Sequence, residues 1–355
     1  MTFESYFDRA TKRLREDLGE FLAAKRGDVA RLRPWGPDVL RRLEAFTRKG
    51  KMLRGGLVAL GCEMAGARSG AAAVRAGTAC ELIQSGLLIH DDIMDRDPRR
   101  RGGPSVHEQY ARLAPADAGR AAAAHFGESL AICAGEIAIF LAFEAMAGLP
   151  GPPKRTARVQ KLFASEFGLV GLGQMLDIEA GTSREPCPER KILDIYRYKT
   201  ARYSFCLPLA AGWILGGGRK TVLPALERLG LDLGLVFQIK DDEIGLFGSP
   251  GTTGKPVGSD IRQGKKTLYS AGLLDRAAGA DKDRFAAVFA DPGASPADIR
   301  FVRDLAARLG VKDDVRRVMA RCARKAGAGI RALPVGEDHR GILRSLLEYS
   351  LDRRS

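Results

Sequence analysis

The feature that most narrows what this chain can fold into is the spacing of its apolar residues. Val39, Leu40, Leu43 and Phe46, and again Leu235, Val236 and Ile239, recur at three- and four-residue intervals, the period of one helical face. Long alternations of apolar and polar residues, which a half-buried sheet requires, are hard to find, and alanine and leucine dominate over β-branched residues. The expected fold class is therefore all-α. Glycine and proline clusters at 34–37, 96–104, 149–153, 181–188, 216–218 and 248–258 cut the sequence into about ten helical pieces. None of these breaks is long or polar enough for an interdomain linker, and no repeat at a solenoid period is present. The expectation is one domain over residues 1–355, a bundle of long helices. Its motif-bearing core lies at about 45–270, and peripheral helices follow from about 281.

At 355 residues and 45% hydrophobic content, the chain can bury a sizeable core. No run of eighteen or more apolar residues is free of charge, and residues 1–5 show neither a basic start nor a hydrophobic signal core. The reading is a cytoplasmic protein that is not integral to a membrane. Cys62, Cys80, Cys133, Cys187, Cys206 and Cys322 form no CxxC pair and have no histidine at zinc-ligand spacing, so reduced thiols are expected. The formal charge of +14 calls for anionic partners. Basic residues are dispersed rather than blocked with aromatics, which disfavours nucleic acid and leaves phosphorylated metabolites.

Residues 81–95 form an apolar helix that ends in Asp91, Asp92 and Asp95. Asp91 and Asp95 are four apart, which puts them on one helical face about 6 Å apart along the axis. Like charges so placed repel, and the helix dipole disfavours them near a C-terminal end, so a cation explains their company. Oxygen donors of this kind suit Mg²⁺, which keeps several waters and shares substrate phosphates with one or two carboxylates. A second stretch, 235–243, again runs an apolar face into an acidic pair, Asp241 and Asp242, with Glu243 beside them. Two such helices can grip one metal–diphosphate cluster across a bundle core. Basic residues in glycine-bearing turns accompany both clusters. They are Lys51 and Arg54 upstream, Arg100 and Arg101 after the first cluster, and Lys255, Lys265 and Lys266 after the second. Metal-holding carboxylates bordered by lysine and arginine are what a diphosphate requires.

Over roughly residues 45–270 the chain resembles the trans-polyprenyl diphosphate synthases. The resemblance is carried, in order, by Gly50-Lys51 with Arg54, the first aspartate cluster, Arg100-Arg101-Gly102, Gly173-Gln174 with Asp177, Lys199-Thr200, Phe237-Gln238 with Asp241-Asp242, and the lysine loops. It implies long helices around a central cavity, usually in a homodimer, with both acidic motifs at the cavity mouth. It also implies isopentenyl diphosphate and allylic prenyl diphosphates as substrates, and about three Mg²⁺ ions per site. By the same resemblance Asp91, Asp95 and Asp241 are metal ligands, with Asp92, Asp242 and Lys199 also in the catalytic set. Arg100, Lys199, Thr200, Gln238, Lys255 and Lys265 would hold the allylic diphosphate. Lys51, Arg54, Gln84 and Arg101 would hold the diphosphate of isopentenyl diphosphate. Gln84 stands where many relatives have His, Gly55 where proline is common, Ala201 where glycine is common, and Gly245 where the second motif often has its last aspartate.

The chemistry so implied is departure of diphosphate to leave an allylic cation, attack by the double bond of isopentenyl diphosphate, and loss of a proton. Gly86 and Leu87 precede Asp91 by five and four residues, about 6 to 7.5 Å down the helix, where a growing tail would pass. In short-chain members of the family it resembles, bulky aromatics in this region stop growth at fifteen carbons, so by that resemblance the glycine and leucine here imply a product of twenty carbons or more. Geranylgeranyl diphosphate is the expected product, with a farnesyl or longer polyprenyl diphosphate as the alternative. A tighter reading of Gly86 is that it permits close helix packing. Two rivals remain, a class I terpene cyclase and a non-catalytic partner subunit. The cyclase needs no second diphosphate site, and the subunit should have lost part of the first motif.

Overall fold

The computed structural model describes residues 2–183, 185, 187–248 and 257–353. Helices α1 (Phe3–Val29), α2 (Trp35–Arg48), α3 (Leu53–Met64) and α4 (Ala71–Met94) come first. An antiparallel hairpin follows, with Arg99 opposite Pro104 and Arg100 opposite Gly103. Then come α5 (Val106–Ala111), α6 (Arg120–Ala147), α7 (Pro153–Thr182), α8 (Glu189–Ile195), a π-helix (Tyr196–Cys206), α9 (Leu207–Leu215), a 3₁₀ turn (Lys220–Val222) and α10 (Leu223–Phe247). The chain continues through α11 (Ser259–Arg262), α12 (Leu268–Arg276), α13 (Gly279–Val288), α14 (Pro296–Arg308), α15 (Val311–Ala332) and α16 (Glu337–Asp352). The class is all-α, as the periodicity requires, but the helices are more numerous than the breaks suggested. Single glycines in the left-handed region, such as Gly66 (φ 89°) and Gly310 (φ 69°), separate helices where no proline cluster marks a turn.

The residues group into two compact units that interleave in sequence. One holds Glu4–Leu162 and Pro208–Lys220; the other holds Met1–Phe3, Phe163–Leu207 and Thr221–Ser355. In the first, α4 is buried on nearly every side and touches its neighbours through glycines. A Cβ on Gly77 would lie 3.0 Å from the Cα of Gly55 in α3. A Cβ on Gly86 would lie 2.7 Å from the carbonyl oxygen of Gly135 in α6. The facing seam of α6 is Ala131, Ala134, Ala138, Ala142 and Ala145, all buried at helical spacing, and small residues there let the two backbones approach. The opposite face of α6 leaves Ile132, Ile137 and Phe140 exposed. Among the described residues α6 is the one helix long and apolar enough to cross a membrane, a property its buried alanine seam accounts for in part.

In the second unit α10 is the axis. Leu226, Leu229, Leu233, Val236 and Ile239 are buried along it, against the π-helix and α15. Fully burying a leucine is worth about 2 kcal/mol, so this helix is anchored before any polar contact is considered. The helices beyond about residue 281 bury their apolar faces within this unit. Val302, Leu305, Ala306, Ile330, Leu343 and Leu346 are fully buried, and α15 lies along α10. Its apolar positions were visible, but the partner face they fill belongs to a helix some 80 residues upstream.

Candidate active site

In the first unit α4 carries Asp91 and Asp92 in its last turn, and Asp95 caps it, its N–H bonded to the carbonyl of Asp91. The three carboxylates differ sharply in environment. Asp92 has no exposed side-chain surface, whereas Asp91 and Asp95 are half-buried. Arg100 reaches back from the hairpin, its Nε donating to Asp92 Oδ1 at 2.7 Å, with Asp91 Oδ2 and Asp97 Oδ2 each 3.5 Å from its Nη2. Burial opposes the charge on Arg100, but the carboxylates of Asp92, Asp91 and Asp97 outweigh it and raise its pKa. Asp92 thus anchors an arginine instead of facing an open site.

The hairpin turn explains how two adjacent arginines point different ways. Arg101 and Gly102 both have positive φ, 52° and 75°, the backbone that suits a two-residue hairpin, and for Arg101 it is a strained one. Its guanidinium stacks 4.5 Å from the Phe46 ring and donates to the Phe46 carbonyl, and burial lowers its pKa to about 10. Met52, between Lys51 and Arg54, is likewise left-handed (φ 51°) and starts α3. Gln84 is buried, and its Oε1 has no hydrogen-bond partner among the described residues. At Gly55, where proline is common among the relatives the sequence resembles, the structure gives a reason for glycine. Its N–H donates to buried Glu81 at 2.9 Å, which proline cannot do, and a Cβ would press on Leu14 at 2.7 Å.

In the second unit α10 presents Asp241 with 59% of its side chain exposed and Asp242 buried. Asp242 Oδ1 accepts from Gln238 Nε2 at 2.8 Å, and Oδ2 accepts from the Tyr196 hydroxyl. Burial, then the neighbouring charge of Asp260, pushes its pKa well up. Glu243 is taken by Lys240 (2.8 Å) and Arg316 (2.9 Å) and so braces α10 against α15. Gly245 leaves room that Asp260 uses, since a Cβ at 245 would lie 3.0 Å from Asp260 Oδ2. Asp260 therefore brings a carboxylate to the place where a fifth motif residue would project. Arg353, just beyond α16, is buried, donates to Asp241 Oδ1 and to the Phe237 carbonyl at 2.9 Å each, and lies 3.8 Å over the Phe237 ring. Sequence reading assigned no part to Asp260, Arg353 or Tyr196. Asp260 was visible within the lysine loop, but the other two carried no motif signal.

Lys199 and Thr200 project from the π-helix. Lys199 Nζ is 2.5 Å from Asp177 Oδ2 on α7, and Thr200 Oγ1 donates to Gln238 Oε1 at 2.8 Å. The π-helix comes this close because α7 has Gly173 there, where a Cβ would be 2.6 Å from the Lys199 nitrogen. Lys265 is tied through its backbone N–H to the Asp260 carbonyl at 2.9 Å. Lys255 lies outside the described residues. The sites expected from sequence thus form two groups, each within one unit. Lys51, Arg54, Gln84, Asp91, Asp92, Asp95, Arg100 and Arg101 belong to the first, and Lys199, Thr200, Gln238, Asp241, Asp242 and Lys265 to the second.

Among the described residues no three His, Cys, Asp or Glu side chains cluster closely enough to cage a metal by themselves. Asp91 and Asp95 in the first unit, and Asp241 in the second, are partly exposed carboxylates of the kind Mg²⁺ takes as oxygen donors. A family model described as polyprenyl synthetase matches residues 39–305. The chain belongs to the polyprenyl synthetase family. The match runs through both units and all of the motifs. The short chain isoprenyl diphosphate synthase of Methanothermobacter thermautotrophicus is 33% identical over 80% of this polyprenyl synthetase and 77% of its own length. The geranylgeranyl diphosphate synthase of Sulfolobus acidocaldarius is 30% identical over 77% and 75%. A crystal structure of geranylgeranyl pyrophosphate synthase from Corynebacterium glutamicum, complexed with isoprenyl diphosphate and magnesium, superposes with a TM-score of 0.92. It shares 28% identity and covers 98% of this chain and 99% of its own. This polyprenyl synthetase is a prenyltransferase, and its all-α fold is that of its relatives.

Proposed function

We propose that this enzyme joins isopentenyl diphosphate to an allylic prenyl diphosphate, head to tail and in trans, and that its product is geranylgeranyl diphosphate. The observation that carries the reading is the near-complete fit to a geranylgeranyl pyrophosphate synthase holding isoprenyl diphosphate and magnesium, with the first aspartate motif whole on this chain and the second short of its last aspartate. Asp91, Asp95 and Asp241 hold Mg²⁺, three ions in all, with Asp260 standing in for the aspartate absent at Gly245. When bound, magnesium supplies positive charge against the diphosphate as its bond to the allylic carbon breaks. Lys199, Thr200, Gln238, Arg100, Lys255 and Lys265 hold that diphosphate and neutralise the rest of its growing charge. Lys51, Arg54, Gln84 and Arg101 hold isopentenyl diphosphate with its double bond toward the cation. Strain at Met52 and Arg101 fits this role, since both residues are kept in costly backbone conformations beside the basic groups. The departing diphosphate takes the proton, so no histidine, cysteine or serine is needed.

Gly86 does not support the length assignment as an open floor, because the volume a side chain would occupy is filled by α6. Half-buried Leu87 remains the residue proposed to flank the tail, and twenty carbons rest on the likeness to geranylgeranyl diphosphate synthases. We assign the exposed Ile132, Ile137 and Phe140 row of α6 to a homodimer contact and the enzyme to the cytoplasm. The test is incubation with isopentenyl diphosphate and, separately, dimethylallyl, geranyl and farnesyl diphosphates with Mg²⁺, followed by mass identification of the prenyl alcohols. A twenty-carbon alcohol is expected. A fifteen-carbon or longer one replaces the product but keeps the chemistry. No product from any primer with folded protein turns the reading to a cyclase or a non-catalytic subunit.

A further inference from the structure

We propose that Tyr196, which belongs to none of the motifs, is the positioning residue that holds the allylic-diphosphate groups in register. The inference rests on the reading above that Thr200, Gln238 and Lys265 bind that diphosphate. Tyr196 opens the π-helix and is 5% exposed. Its hydroxyl makes two bonds in opposite senses, donating to Asp242 Oδ2 and accepting from the Leu268 N–H at 3.2 Å. From Asp242 the chain continues through Gln238 Nε2 at 2.8 Å, and from Gln238 Oε1 to the Thr200 hydroxyl at 2.8 Å. A chain of four bonds, two of them at the phenol, thus joins the π-helix, α10 and the start of α12.

Each end of this chain is a substrate-side element. Thr200 sits about one turn beyond Tyr196 in the same π-helix, a helix form often found at functional sites. Leu268 is the first residue of α12 and stands three residues after Lys265. That short link is stiff. Thr267 and Ser270 form a reciprocal cap, and Ser270 Oγ also donates to the Lys265 carbonyl at 2.8 Å. Moving the Leu268 amide therefore moves Lys265. Only a group that donates and accepts at one oxygen can serve both partners, and a tyrosine hydroxyl does so where phenylalanine cannot. Removing it leaves a buried carboxylate oxygen and a buried amide to find new partners, and the lysine loop loses its reference to Gln238. The residues assigned to isopentenyl diphosphate lie in the other unit and have no part in this chain of bonds.

The test measures dissociation constants by calorimetry, in Mg²⁺, for farnesyl thiodiphosphate and separately for isopentenyl diphosphate. The proteins are wild type, Tyr196→Phe, Gln238→Leu and the double variant. Tyr196→Phe is expected to weaken the allylic analogue roughly tenfold and to leave isopentenyl diphosphate within about twofold. The double variant is expected to bind the analogue no more weakly than Gln238→Leu alone, since both changes break one chain. Equal losses for both ligands, no loss for either, or additive losses in the double variant would overturn the positioning role. If Gln238→Leu alone leaves analogue binding unchanged, the site reading beneath the proposal fails instead. Where Tyr196→Phe does not fold, Asp242→Asn takes its place at the same link, with the same selective loss expected and an unselective one counting against it.

Discussion

Two neighbouring aspartates in each motif have been given opposite work by burial alone. Asp91 and Asp241 are reachable from solvent, whereas Asp92 and Asp242 are sealed and hydrogen-bonded within their own units. On the proposed metal-binding role, Asp241→Asn is expected to lower kcat/KM at least a hundredfold, and to lower Tm as well because buried Arg353 loses its charged partner; steady-state kinetics and thermal melts check this. Asp92→Asn is expected to lower Tm as well, since it weakens a buried ion pair with Arg100 whose disruption costs about 3 kcal/mol or more. His107 gives a pH signature. Burial lowers its pKa below the ordinary 6.5, against the opposing pull of Glu108, Glu128 and Asp97. The unfolded chain takes up that proton more readily, so the stability contributed by the neutral ring is complete above about pH 6.5 and is lost as pH falls. His107→Gln is expected to flatten the acid side of the profile by up to about 1.4 kcal/mol per pH unit, as read by urea unfolding. The aspartate pairs and their basic neighbours, proposed as ligands, stood out in the sequence because their spacing along one helix or turn announces charge held together at a cost. Tyr196 and Arg353 did not, since their partners lie 46 and 112 residues away and only folding makes the pairing.

At the level of helices, the contact between α4 and α6 is built from absences. Gly86 meets the Gly135 carbonyl, and Gly135 in turn leaves room for the His90 ring, which a Cβ would meet at 2.2 Å. Gly86→Ala is expected to destabilise the protein by about 1–3 kcal/mol through overpacking, and chemical denaturation measures it. A shortened product from a bulky residue at 86 would therefore report displaced helices as much as a plugged tunnel. Leu87→Phe is the cleaner probe of length. The all-α class was legible from period alone, and so were α4 and α10, whose apolar runs are long. The short helices from α11 onward were not, because residues 259–310 turn on isolated glycines and on capping boxes at Thr267 and Ser295 that look like ordinary polar sequence.

For the molecule as a whole, chelation offers the broadest check. Excess EDTA is expected to abolish prenyl transfer, added Mg²⁺ to restore it, and the far-ultraviolet dichroism to stay constant, since the carboxylates proposed as ligands sit on helices that fold on apolar contacts. The exposed row on α6 predicts that Phe140→Glu shifts the sedimentation coefficient to that of a monomer, and an unchanged value would remove that face from the assembly. One structural fact reaches beyond these assays. After Glu4–Leu162 in the first unit, the polypeptide crosses to the second inside α7, goes back to the first for residues 208–220, and then returns to the second. During synthesis the earlier unit must wait for a segment made after the π-helix before it is whole. No single cut in the gene yields two pieces that each encode a finished body, so recombination has no seam to work with and the two are passed on together.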